Sequence, residues 1–175
     1  MRAWLSSFVV ALDLCPFAKP LIGGDGLRIA TCFADEQQAI FRSLLEELDH
    51  LLNTPEQELL TTLLVFPRAL ASFDEYLDFF GQAQQLLVDA GLEGIVQMAS
   101  FHPQYLFEDE PSEGASHFSN RAPYPIVHLL REDTLERVLR DYPNPEKIPL
   151  RNIATLEEIG ADALAARWLA LFSAN

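Results

Sequence analysis

The run LLTTLLVF, residues 59–66, constrains this chain more than any other stretch. Side chains alternate between the two faces of a strand, and this run is too apolar to leave either face wet. A strand of this kind needs cover on both sides, which points to a sheet with helices packed over it. Two other runs also read as strands, LRIATCF at 27–33 and GIVQMASF at 94–101. Helical patterns separate the three. After Asp35, a capping residue, Ile40, Leu44, Leu45, Leu48 and Leu52 line one face of a helix expected over 36–52. Ser72 followed by Glu75 reads as a capping box opening a second helix that runs to 90, with Gly91 as its C-terminal glycine. This alternation predicts crossover helices and mostly parallel pairing.

PIVHLLR, residues 125–131, reads as a fourth strand, antiparallel or at an edge, although its pattern also permits a helix. Trp4, Leu5, Phe8, Val9 and Leu12 have amphipathic helix spacing, and Pro16 predicts that this helix stops near Leu14. GGDG at 23–26 reads as a turn. A loop rich in acids, serine and proline covers 108–124, a short helix opens at Asp133 or Thr134, and a terminal helix over 155–172 is interrupted by Gly160. The expected fold is therefore α/β or α+β. It is a single domain over 1–175, with one sheet of about four mostly parallel strands and helices at both termini.

Composition limits the function. With 175 residues, 49% hydrophobic and 22% charged, the chain can bury a full core. A formal charge of -14 opposes nucleic-acid binding, and any anion site must be a local basic exception. The basic residues are mostly arginine, since Lys19 and Lys147 are the only lysines. Two cysteines make no disulfide framework, and the composition suits a reducing compartment. The first residues mimic a signal peptide, but Asp13 interrupts the apolar stretch, and no run approaches the ~18 apolar residues of a membrane span. A cytoplasmic location is expected.

In open α/β sheets ligands bind outside the carboxyl ends of parallel strands. Arg68 and His102 fall at such ends, and the loop carrying Tyr105 starts from the same rim. His102 is there either a site residue or a strand-end histidine bonded to the backbone. Asn120 and Arg121 lie in a loop stiffened by Pro123 and Pro125, and the guanidinium fork of Arg121 suits a carboxylate or phosphate. On a strand, His128 shares a face with Ile126 and Leu130 while Arg131 projects oppositely. Arg131 also fits a structural pair with Glu132 or another acid. Cys15 has two readings. At the end of the first helix its thiol stays inert; as the cap of a new turn starting at Pro16, its thiolate is favoured, with Lys19 near. Cys32 reads as core, His50 and His117 as solvated. Cys15, His102 and His128 suit zinc as ligand types, but no pair has the short spacing of a zinc motif. No cofactor is identified: GGDG precedes a strand, whereas a dinucleotide loop follows one, and no serine occupies a nucleophile elbow.

The segments LCPFA at 14–18, ASFHP with Tyr105 and Phe107 at 99–107, and NR-PYP-HLLRE at 120–132 together resemble a bacterial family catalogued as a domain of unknown function. The family pattern carries serine where Ala122 stands and threonine where Ser119 stands, which speaks against an essential hydroxyl at either position. The resemblance implies that Cys15, His102, Tyr105, Asn120, Arg121, His128 and Arg131 are the positions to test. It brings no activity with it. Two functional expectations follow from the residues. One is an enzyme or binding domain for a small anionic molecule, catalysing group transfer or hydrolysis. Arg68 and Arg121 would hold the anion, His102 would carry protons, and Tyr105 would orient the ligand. The other is a non-catalytic interaction or structural protein whose polar blocks fasten a long loop to the sheet.

Overall fold

A computed structural model describes residues 1–24 and 26–173. Asp25, in the turn read at 23–26, lies outside the described residues. Four strands form one sheet: β1 (Leu27–Thr31), β2 (Thr61–Val65), β3 (Val96–Phe101) and β4 (Ile126–Arg131). Their order is β1-β2-β4-β3. β1 and β2 are parallel, while β4 runs antiparallel to both β2 and β3. This corrects the expectation of a mostly parallel sheet; of the two alternatives for β4, antiparallel pairing holds and the edge position does not. The fold is α+β with an open mixed sheet, and β4 is central. The apolar character of Ile126, Val127 and Leu129 fits that place, since all three are fully buried.

The three strands expected to be parallel do run in one direction. Thr31, Val65, Ile126 and Phe101 fall in one register row, so β1, β2 and β3 end at the same edge where β4 begins. The tyrosine Tyr76 closes this row between β3 and β4. Its hydroxyl donates to the Ile126 carbonyl at 2.7 Å and accepts the Phe101 N–H at 3.1 Å. Burial pushes its phenol well above the ordinary range, so it stays a neutral donor.

Helices cover both faces, as the apolar β2 requires. On one face lie α3 (Gln37–Asn53) and α4 (Phe73–Asp89), which pack Leu44, Leu48, Leu51, Tyr76, Phe79 and Ala83 onto the sheet. The N-cap of α3 is Glu36 rather than Asp35, and neither helix makes a side-chain cap hydrogen bond, so Ser72 and Glu75 form no capping box. On the other face lie α1 (Arg2–Trp4) and a π-helical segment (Leu5–Val10). With them are α2 (Ala18–Ile22), α6 (Ile148–Ile159) and α7 (Ala161–Ser173). Gly160, at φ 83°, adopts a conformation open to glycine and separates α6 from α7. α5 (Glu132–Asp141) follows β4 directly. Cys15 and Cys32 pack on opposite faces and both are free thiols.

Tyr76→Phe removes the hydroxyl that bridges β3 and β4 and leaves a buried carbonyl and a strand-end N–H without that partner. The expected cost is about 1–3 kcal/mol. Urea denaturation checks it; a midpoint unchanged from the parent chain would show that the bridge contributes nothing.

Candidate functional site

The long connection between β3 and β4, residues 102–125, is held by groups from two of the polar blocks. His102 is fully buried. Its Nδ1 accepts the Gln104 N–H at 3.1 Å, so the ring hydrogen sits on Nε2, which donates to the Leu70 carbonyl at 3.0 Å. Burial lowers its pKa. The ring packs between Phe73 and Tyr76 of α4. Its backbone N–H donates to the Asn120 carbonyl, and the Asn120 amide donates to the Ser100 carbonyl. Both ring nitrogens of His102 are therefore engaged with main chain, which ties the rim to the returning loop.

The loop itself differs from the solvated acidic segment expected. It contains a 3-10 turn, Ala115–Ser119, that buries Ala115, Ser116, His117 and Phe118. His117 accepts the Phe107 N–H at Nδ1 and donates from Nε2 to the Pro111 carbonyl at 2.8 Å. Its context of acids and serines concealed this, because the groups it satisfies are backbone.

Tyr105 shares a hydrogen bond with Ser100 at 3.1 Å and packs on Phe73 and Phe107. Arg121 donates from Nε to the Tyr105 carbonyl and stands 4.7 Å over the Phe118 ring. Arg68 lies 5.4 Å over the ring of Phe33. No hydrogen bond, ion pair or ring contact among the described residues joins Arg68 to Arg121. Arg131 binds carbonyls instead of an acid. Nε donates to Leu59, and Nη2 donates to Leu51 and Thr54, the latter at 2.6 Å. It places a cation on the C-terminal carbonyls of α3, where the helix leaves acceptors unsatisfied.

Cys15 and His128 lie on the opposite face of the sheet from the His102 ring, and they meet at a cavity of ≈ 60 Å³. Trp4, Leu5 and Val9 wall it from the N-terminal helix, Phe17 from the turn before α2, and Leu63 and Phe101 from the sheet. Each of the three sequence blocks contributes: Cys15 and Phe17, then Phe101, then His128. Trp4 secures the wall by donating its indole N–H to the Arg121 carbonyl at 3.0 Å and packing edge-on to Phe101. Thr61, which sequence reasoning passed over, is the third polar side chain in the lining. The available signal was two threonines inside an aliphatic strand, since buried hydroxyls need partners. Thr61 has them, whereas Thr62 has none among the described residues.

The hydrogen positions follow from Thr61. Its hydroxyl donates to the Leu129 carbonyl at 2.6 Å and lies 2.7 Å from His128 Nε2. With that hydroxyl hydrogen committed, His128 Nε2 must be the donor to the Thr61 oxygen. His128 Nδ1 is then a bare lone pair, and it has no partner among the described residues. Burial drives the imidazole pKa down to about 4, so the ring is neutral at pH 7.

Cys15 precedes a turn rather than ending a helix. The π-helical segment stops at Val10, and the Ala18 N–H donates to the Cys15 carbonyl at 3.1 Å. Backbone N–H groups of Phe17 and Ala18 favour negative charge on sulfur, but burial outweighs them and raises the thiol pKa. Asp13 raises it further. Lys19 is exposed and is not among the charges acting on it. At rest the cavity thus holds a neutral thiol and a neutral imidazole. Among the described residues no group of three or more His, Cys, Asp and Glu is placed to hold a metal ion, and no helix is long and apolar enough to cross a membrane.

Fold and site together define an α+β protein with a small, mostly carbon-lined cavity between its sheet and its N-terminal helix. The chain belongs to the family described as "Protein of unknown function (DUF1415)", whose model matches residues 1–166. No curated protein and no solved structure matches it.

The low pKa of His128 makes stability depend on pH. Between about pH 6.5 and 4 the unfolded chain binds a proton at this position that the folded chain refuses. Stability is fully present above about pH 6.5 and falls as pH drops toward about 4, by on the order of 3 kcal/mol. His102, also lowered, adds a contribution of the same sign. Urea denaturation across this range should show the slope, reduced in His128→Gln; an equal slope in both proteins would place the titration elsewhere.

Proposed function

We propose that this chain binds a small uncharged molecule in the Cys15–Thr61–His128 cavity. The ligand would have a short apolar body and one O–H or N–H donor. The observation that carries this is His128, which stands in a mostly carbon wall with Nε2 bonded to Thr61 and with no hydrogen-bond partner on Nδ1 among the described residues. Polar groups placed singly in apolar pockets set ligand orientation, because leaving either partner unpaired costs free energy. A charged ligand would lose hydration there with no opposite charge in the lining to replace it. The π-helical turn supports the same reading: it supplies Leu5 and Val9 to the wall, and π-helical geometry is frequent at functional sites.

The second reading, that polar blocks fasten the loop, has its own support. His102, Asn120 and Arg131 spend their donors and acceptors on main-chain groups that join the loop, sheet and α3. The two readings divide the blocks between them. An anion held by Arg68 and Arg121 with His102 moving protons has less in its favour, because both nitrogens of His102 are engaged.

Titration with short-chain alcohols tests the cavity reading by ¹⁵N-resolved NMR of the histidine rings. The His128 signals should move, and affinity should fall by about fivefold or more in His128→Phe, the loss of one hydrogen bond of about 1 kcal/mol. Alcohols that perturb other residues and leave His128 unmoved would rule this site out.

A further inference from the structure

One wall of the cavity is attached differently from the others. Trp4, Leu5 and Val9 are buried, and Trp4 is tied to the Arg121 carbonyl. The facing wall comes from a single stretch of chain, residues 15–24, through Phe17, Ala18, Leu21 and Ile22. This stretch is fastened at both ends. Before it, the Leu14 carbonyl accepts the Asn152 amide at 2.8 Å, and the Asp13 carbonyl accepts the Arg151 guanidinium at 2.9 Å, both from α6. After it, the Gly26 carbonyl accepts the N–H groups of Leu60 and Thr61 at 2.8 and 3.1 Å. Between those ends its N–H groups bond only within the stretch, Ala18 to the Cys15 carbonyl and Gly24 to the Leu21 carbonyl. Among the described residues no hydrogen bond, ion pair or ring contact joins residues 15–24 to the rest of the chain. Apolar packing alone holds them against the cavity.

Segments held this way open at a small fraction of the cost of global unfolding. The end of the stretch also shows where it bends. Gly23 and Gly24 are exposed, and nothing lies within 4 Å of where a Gly23 side chain would begin. Gly26 is fixed by contrast, since a Cβ there would meet Leu60 at 2.7 Å. The cavity as it stands requires such an opening. Thr61 is only 2% exposed, and ≈ 60 Å³ is small beside the roughly 150 Å³ that takes up a benzene-sized guest. Resting on the cavity reading, we propose that residues 15–24 are a flap that lifts about Gly23 and Gly24 to admit the ligand. It closes again through Phe17, Leu21 and Ile22, so its contacts are with the ligand's apolar body, while Thr61 and His128 belong to the fixed sheet. The five residues of α2 are too few to persist as a helix away from the cavity, so lifting the flap also exposes its N–H groups.

Amide hydrogen exchange of the full chain, with and without 1-butanol, tests the flap. The Ala18 N–H, bonded only to Cys15, reports its opening, and the Leu14 N–H, bonded to Val9 at 3.0 Å, reports the anchored side. Ala18 should exchange roughly 100-fold faster than Leu14 or more. Butanol at about ten times its Kd should slow Ala18 about tenfold, because the ligand must leave before the flap lifts. In Gly23→Ala the new methyl group meets nothing and the backbone φ of -97° suits alanine. That variant should slow Ala18 about threefold by narrowing the open ensemble. Ala18 exchanging as slowly as Leu14, or at a rate that neither butanol nor Gly23→Ala alters, would overturn the flap. If butanol still moves the His128 ring signals, the cavity reading stands without it; if neither His128 nor Ala18 responds to butanol, both fall.

Discussion

The antiparallel insertion of β4 between β2 and β3 sets which side chains meet. Its register places His128 opposite Leu63 on one side and Ala99 on the other, with Leu130 opposite Thr61. The Thr61 hydroxyl consequently reaches both the Leu129 carbonyl and His128 Nε2. One committed hydrogen then decides the tautomer of a histidine, and the tautomer decides which ring nitrogen is left for a ligand. A strand shifted by one residue would carry His128 to the α3–α4 face and dissolve this arrangement.

The same insertion explains the fasteners. Entering the middle of the sheet from the end of β3 requires the chain to turn back at the rim, and residues 102–125 make that return. Backbone in such a loop needs partners wherever it is buried. His102, His117 and Asn120 supply them, and Tyr76 supplies the bridge at the first pair of the β3–β4 ladder. Histidine suits these positions because its neutral ring offers one donor and one acceptor, matching one N–H and one carbonyl at once.

Local pattern made the strands, the two long helices and the break at Gly160 legible before the structure, because period and glycine act within a few residues. The alternation of strands and helices also gave β1, β2 and β3 their common direction. It did not give the place of β4, since Ile126, Val127 and Leu129 state only that the strand is covered, and an edge strand under helices would look alike. The distinction between His102 and His128 was likewise hidden. One directly follows the end of β3 and the other lies in β4, both beside apolar residues, and what separates them is the partner of each ring nitrogen. Those partners, the Leu70 carbonyl and Gln104 N–H for one and the Thr61 hydroxyl for the other, are set by tertiary contacts or irregular backbone that no periodicity reports. Cys15 was readable as the start of a turn from Pro16, but the balance between burial and nearby N–H groups is a tertiary property.

The account turns on the protonation and tautomer of His128, and long-range ¹H–¹⁵N NMR of the imidazole observes them directly. The structure predicts a neutral ring with hydrogen on Nε2 at pH 6, and a titration midpoint near about 4. A ring carrying its hydrogen on Nδ1, or one that titrates near 6.5 like a solvent-exposed histidine, would contradict it.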